Sequence, residues 1–140
     1  MQSKLHRVID ANLNRSREAL RVCEDITRFV LDDKNLTDAL KNIRHKISKI
    51  DVGANNYSPL HSRNVASDIG KKASFDKAKP RDFKSLFYNN IHRAQESIRA
   101  LEEFSKLIIP RLSVDFKALR FRVYSVEKKA ITKLQALCNN

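Results

Sequence analysis

Apolar residues recur at spacings of three and four along Ile9, Leu13, Leu20, Cys23, Ile26 and Val30, with Ser16 completing the stripe. The same stripe returns 78 residues later as Phe87, Ile91, Ala94, Ile98, Leu101, Phe104 and Ile108. This is the helical period, and a chain that writes one amphipathic helix twice has two like faces to bury against each other. Each copy is followed by a second apolar stripe. Leu36, Leu40, Ile43, Ile47 and Ile50 follow the first, and Phe116, Leu119, Val123, Val126, Ile131 and Leu134 follow the second.

The spacing predicts helices over about residues 4–32 and 36–50, with Asn35 as N-cap of the second. It predicts two more over about 83–108 and 114–137, capped by Asp82 and Ser113, with Pro110 stopping the third. Repeat one thus covers about 4–50 and repeat two about 82–137. The expected fold is all-α, a single-domain antiparallel four-helix bundle made of two repeated helical hairpins. Two glycines and three prolines in 140 residues leave little turn material for a many-stranded sheet, which supports that reading. The connection over about 51–81 is long for a compact bundle, and such segments are commonly functional loops or linkers. It holds both glycines, in Asp51-Val52-Gly53 and Asp68-Ile69-Gly70.

Several function classes are excluded or ranked low. The longest apolar runs are three residues, against the roughly 20 of a membrane span, and MQSKLHRVID lacks the apolar core of a signal peptide. The expectation is a cytoplasmic protein that meets no membrane. Cys23 and Cys138 stand far apart without metal-ligand or redox spacing. The net charge of +12 invites a nucleic-acid partner, but residues 1–34 carry 7 basic against 6 acidic groups and residues 82–112 carry 5 against 4. Its excess lies in residues 35–81 and 113–140. Nucleic-acid binding therefore leaves the repeat unexplained and ranks lowest.

Identity between the copies sits on a polar ladder rather than on the stripe. Asn12, Arg15, Glu18, Arg21 and Glu24 return as Asn90, Arg93, Glu96, Arg99 and Glu102. One reading is a solvated series of i, i+3 ion pairs, each worth about 0.2–0.5 kcal/mol. At 100° per residue, however, Asn12 and Asn90 fall well inside the apolar arc, with Arg15 and Arg93 at its margin. Arg21 points away, and Glu18 and Glu24 lie at the edges. Buried amides and guanidinium groups need partners. If the long helices face each other, Asn12, Arg15, Asn90 and Arg93, backed by Glu18 and Glu96, supply donors for a shared anion such as phosphate. The ladder then has an inward anion-binding end and an outward solvated end. A register-fixing hydrogen-bond network is the competing reading.

The blocks RVIDANLNRSREALRVCEDITRFVLDD and LKNIRH, with RNVASDIG and NNIHRAQESIRALEEFSK after them, resemble the alternative, all-helical hydroxymethylpyrimidine phosphate kinases of thiamine biosynthesis. Members of that family are often joined in front of a thiamine-phosphate synthase, and the likeness runs from about Leu5 to Glu127. It implies transfer of the γ-phosphoryl group of ATP, with Mg²⁺, to 4-amino-5-hydroxymethyl-2-methylpyrimidine phosphate. It nominates Asp68 as metal ligand and catalytic group together with Glu18 and Glu96. Arg63, Gly70, Lys71 and Lys72 would meet phosphate beside the four ladder donors.

Asn64 stands where the family motif usually has aspartate. That departure favours an alternative, a pyrimidine-phosphate-binding module that partners a separate thiamine-phosphate synthase without catalysis. Synthase activity itself is not expected, because that reaction needs a barrel of about 200 or more residues and none follows residue 140. A homodimer is left open by spare apolar surface on the helices.

Overall fold

The computed structural model describes residues 2–50 and 82–139. They form α1 (Gln2–Asp25), a π-helical turn (Ile26–Val30), α2 (Lys34–Lys49), α3 (Phe83–Ser105) and α4 (Pro110–Cys138), with no strand among the described residues. None of these helices is long and apolar enough to cross a membrane.

The core is assembled from both stripes. Ile9, Leu20, Cys23, Phe87, Ile91, Ile98 and Leu101 meet Leu40, Ile43, Ile47, Phe116 and Val123, all fully or almost fully buried. α1 packs most extensively on α3, and each hairpin closes on itself, α1 with α2 and α3 with α4. α2 and α4 meet over a smaller area. The bundle is therefore built around the α1/α3 pair, as the repeated stripe required. One stripe position departs: Phe104 is exposed, and the buried place beside it is taken by Ser105.

At the α1/α3 crossing the hydroxyls of Ser16 and Ser97 share a hydrogen bond at 2.7 Å. The repeat relates Ser16 to Ala94 and Ala19 to Ser97, and all four are buried. Small side chains at every one of these positions let the two backbones approach closely.

The internal two-fold extends to individual hydrogen bonds. Asn12 and Asn90 each donate from Nδ2 to the carbonyl four residues earlier, Val8 and Leu86, both at 2.9 Å. Thr27 and Ser105 each donate to the carbonyl three residues earlier, that of Glu24 and that of Glu102.

Helix starts differ from the sequence reading in two places. α2 is capped by Asp33, not Asn35: its carboxylate accepts from the Leu36 N–H at 2.9 Å. The reason lies one residue earlier, where Asp32 takes a left-handed conformation at φ 50° and turns the chain before Asn35 is reached. α4 begins at Pro110 rather than after Ser113, with Ile109 as a cap that offers no side-chain bond. Proline lacks an N–H and has a preset φ, so it serves the first helical position as readily as it ends the preceding helix. Asp82 caps α3 as expected, accepting from Ser85 N–H at 2.8 Å.

The Asp33 carboxyl is held below its ordinary value by the Leu36 N–H first and by Lys133 next. A depressed folded-state pKa contributes stability above the unfolded value of about 3.9, and that stability is lost as pH falls through the folded value. Asp33→Ala is therefore expected to cost about 1 kcal/mol at pH 7 and less at pH 3. Asn keeps the cap, so Asp33→Asn should flatten the pH dependence while losing less. Urea midpoints at the two pH values check this.

Candidate functional site

The residues nominated from the ladder are divided between packed and exposed positions. Asn12 is buried and Asn90 half-buried, but their amide donors are turned back on their own helices. Arg15 and Arg93 are exposed, not turned to the core, and so are Glu18 and Glu96. At the crossing of α1 on α3 the buried positions are held by the small residues Ser16, Ala19, Ala94 and Ser97. Arg63, Asp68, Gly70, Lys71 and Lys72, with Asn64, lie outside the described residues.

At the end of the ladder assigned to solvent, Arg21 and Arg99 are exposed as expected but the glutamates are not. Glu24 and Glu102 are almost completely enclosed. Arg44 donates to Glu24 through Nε at 2.5 Å and Nη2 at 3.0 Å. Arg120 does the same to Glu102, at 2.8 and 3.0 Å. Each hairpin is thus bolted by one bidentate Arg–carboxylate fork, the geometry in which both charges find partners away from water. The buried faces confirm the correspondence, because Leu36, Leu40, Ile43 and Ile47 of α2 align with Leu112, Phe116, Leu119 and Val123 of α4 at an offset of 76 residues.

α1 and α3 align at 78, and α2 and α4 at 76, so the first connection is two residues longer than the second. The surplus is absorbed between Ile26 and Asp33, in the π-helical turn and the left-handed Asp32. A π turn accommodates an extra residue in a helix and is frequent at functional sites. Beside it the first hairpin opens into a cleft of about 540 Å³. Arg21, Asp25, Arg28 and Asp32 stand on one wall, Lys41 comes from α2, and the Glu24–Arg44 fork also lines it. Its volume lies in the range of small-molecule sites, and its lining is charged in both senses.

Elsewhere, His92 Nε2 bonds Glu127 Oε1 at 2.9 Å and its ring lies 3.9 Å from that of Tyr88. Gln95 also reaches Glu127. These side chains join α3 to α4. Among the described residues no group of three or more His, Cys, Asp or Glu is placed to hold a metal. Cys23 is buried, and burial first, then the charges of Glu24 and Glu127, push its thiol well above the ordinary range. The thiolate is the reactive form. In the folded protein a disulfide reagent at neutral pH should therefore label the exposed Cys138 quickly and Cys23 only on unfolding.

The ThiD2 family profile matches residues 7–129. The chain belongs to the ThiD2 family. Among curated proteins, the thiamine-phosphate synthase of Synechocystis sp. is 33% identical over 141 residues, covering 92% of this chain and 38% of that one. Its namesake in Nostoc sp. is 34% identical over 128 residues, covering 91% and 35%. That of Rhodopirellula baltica is 30% identical over 132 residues, covering 94% and 35%. This ThiD2 chain thus spans somewhat over a third of the length of these relatives. No solved structure matches it.

Proposed function

We propose that this ThiD2 chain is a phosphotransferase of thiamine biosynthesis, passing the γ-phosphoryl group of ATP to 4-amino-5-hydroxymethyl-2-methylpyrimidine phosphate to give the diphosphate. One observation carries the reading. The blocks through which the chain resembles the pyrimidine phosphate kinases supply the walls of a single open cleft: Arg21, Glu24, Asp25 and Arg28 from one block, Lys41 and Arg44 from the other. Residues kept only for packing would be spent on the core.

The chemistry suits such a lining. The acceptor is a phosphomonoester, largely dianionic near pH 7 because its second pKa is about 6. One of its oxygens bonds to Pγ while the bond from Pγ to the β,γ-bridging oxygen breaks, and ADP leaves. No side chain has to remove a proton. The protein's task is to align two phosphate groups and neutralise their charge, which guanidinium and ammonium groups on rigid helices do well.

Mg²⁺ in such sites binds one or two carboxylates plus substrate phosphate oxygens rather than a cage of protein ligands. The cleft carboxylates Asp25 and Asp32 fit that donor set, and with the nucleotide bound the ion would neutralise charge on its phosphates. Asp68, the ligand that the resemblance nominated, lies outside the described residues.

The deciding experiment supplies ATP, Mg²⁺ and the pyrimidine phosphate to the folded chain and follows ³¹P resonances. ADP and pyrimidine diphosphate are expected in equal amounts, and only when the acceptor is present. Binding of the pyrimidine phosphate without either product would instead support the non-catalytic partner of a thiamine-phosphate synthase.

A further inference from the structure

Both hairpins hold the buried fork, but the charges around it are paired in only one of them. In the second hairpin Arg99 pairs with Glu102 and with Glu103, both at 3.3 Å, and Lys106 donates to Glu103 at 3.0 and 3.2 Å. The counterparts of Arg99, Glu103 and Lys106 in the first hairpin are Arg21, Asp25 and Arg28. None of these three makes an ion pair with any described residue. Arg28 lies only over the ring of its neighbour Phe29, at 4.8 Å.

The local causes are visible in the chain. Asp25 is one methylene shorter than Glu103. The π turn, with more residues per turn than an α-helix, carries Arg28 round the axis from where an α-helix would set it. Both departures open the same face, and that face lines the cleft.

We infer that this cleft binds a polyphosphate bearing a divalent cation, held by Arg21, Arg28 and Lys41. This rests on the phosphotransferase reading, for which the ligand is the triphosphate of the nucleotide. The mixed lining selects the class. A bare phosphate entering here meets the carboxylates of Asp25 and Asp32, and a bare cation meets the guanidinium groups. A cation–polyphosphate complex offers the guanidinium and ammonium groups phosphate oxygens and the carboxylates a cation. Guanidinium forks suit phosphate oxygens, and Lys41 acts as a point charge from the opposite helix.

The test is calorimetric titration of the folded chain with ATP and with inorganic tripolyphosphate, each with Mg²⁺ and with EDTA. Both ligands are expected to bind with Mg²⁺ and to weaken at least tenfold without it. Arg28→Ala and Lys41→Ala, both at exposed positions, should each weaken Mg²⁺-ATP by about tenfold or more. Lys106→Ala, the change in the other hairpin that matches Arg28→Ala, should alter it less than twofold. Equal affinity with and without the metal, or unchanged affinity in both cleft variants, overturns the assignment. If the titrations come out as expected and no pyrimidine diphosphate ever forms, the cleft stands and the phosphotransferase reading falls. If product forms and both variants keep the parent KM for ATP, the cleft assignment falls alone.

Discussion

Glu102→Ala should lower the unfolding free energy by about 3–5 kcal/mol, the range for breaking a buried ion pair from one side. The Glu102 side chain is 2% exposed and that of Arg120 12%, so the truncation strands a guanidinium that water scarcely reaches. Its remaining bond, to the Tyr124 hydroxyl at 2.8 Å, carries no compensating charge. Glu24→Ala should fall in the same range, toward the lower end, because Arg44 at 16% is the more accessible of the two guanidinium groups. Replacing both partners, Glu102→Leu with Arg120→Leu, should recover most of the loss, since apolar pairs of similar volume often substitute for buried ion pairs. Urea unfolding followed by circular dichroism measures all of these. A loss below about 1 kcal/mol for Glu102→Ala would place the fork among surface salt bridges.

That fork also marks where reading the sequence reached its limit. The bundle and its pairing of long helices were legible because the apolar stripe repeats at 78 residues in an α-helical period. Glu24 and Glu102 were placed at the stripe's edge, and helical phase alone cannot decide what an edge residue does. Their burial depends on Arg44 and Arg120, which lie on other helices and correspond only at 76 residues. A comparison held at 78 does not align them. Matching Leu36, Leu40, Ile43 and Ile47 to Leu112, Phe116, Leu119 and Val123 would have exposed the two-residue slip, and with it the arginines.

Arg15 and Arg93 stay exposed for a different reason. Whether a residue at the margin of an arc is drawn inward depends on how closely the helices approach. The small residues Ser16, Ala19, Ala94 and Ser97 set that distance. Asn12 was placed correctly, yet its burial serves its own helix through Val8 rather than a ligand. The caps show the same limit on a shorter scale. Asp33 and Asn35 are both acceptable N-caps by type, and the left-handed turn at Asp32 decides between them.

If the two-residue surplus makes the cleft, removing it should close the cleft without dismantling the bundle. Exchanging Asp25–Leu36 for the shorter counterpart Glu103–Leu112 gives the first hairpin the connection of the second. The essential packing groups travel with it. Ser105 replaces Thr27 in the bond to the preceding glutamate carbonyl, Leu112 replaces Leu36, and the Glu24–Arg44 fork regains the spacing of Glu102 and Arg120. The exchanged segment also carries its own neutralised pairing, because Glu103 and Lys106 meet each other. Such a chain should retain its helical circular dichroism and a cooperative urea transition. Its affinity for Mg²⁺-ATP should fall by about a hundredfold or more, as expected for losing two or more charge-assisted contacts of about 1.5–3 kcal/mol each. A folded exchange that still binds at the parent affinity would mean that the surplus residues shape a turn and nothing else. A folded exchange that no longer binds would mean that duplication supplied the scaffold and that two extra residues in one copy supplied the site.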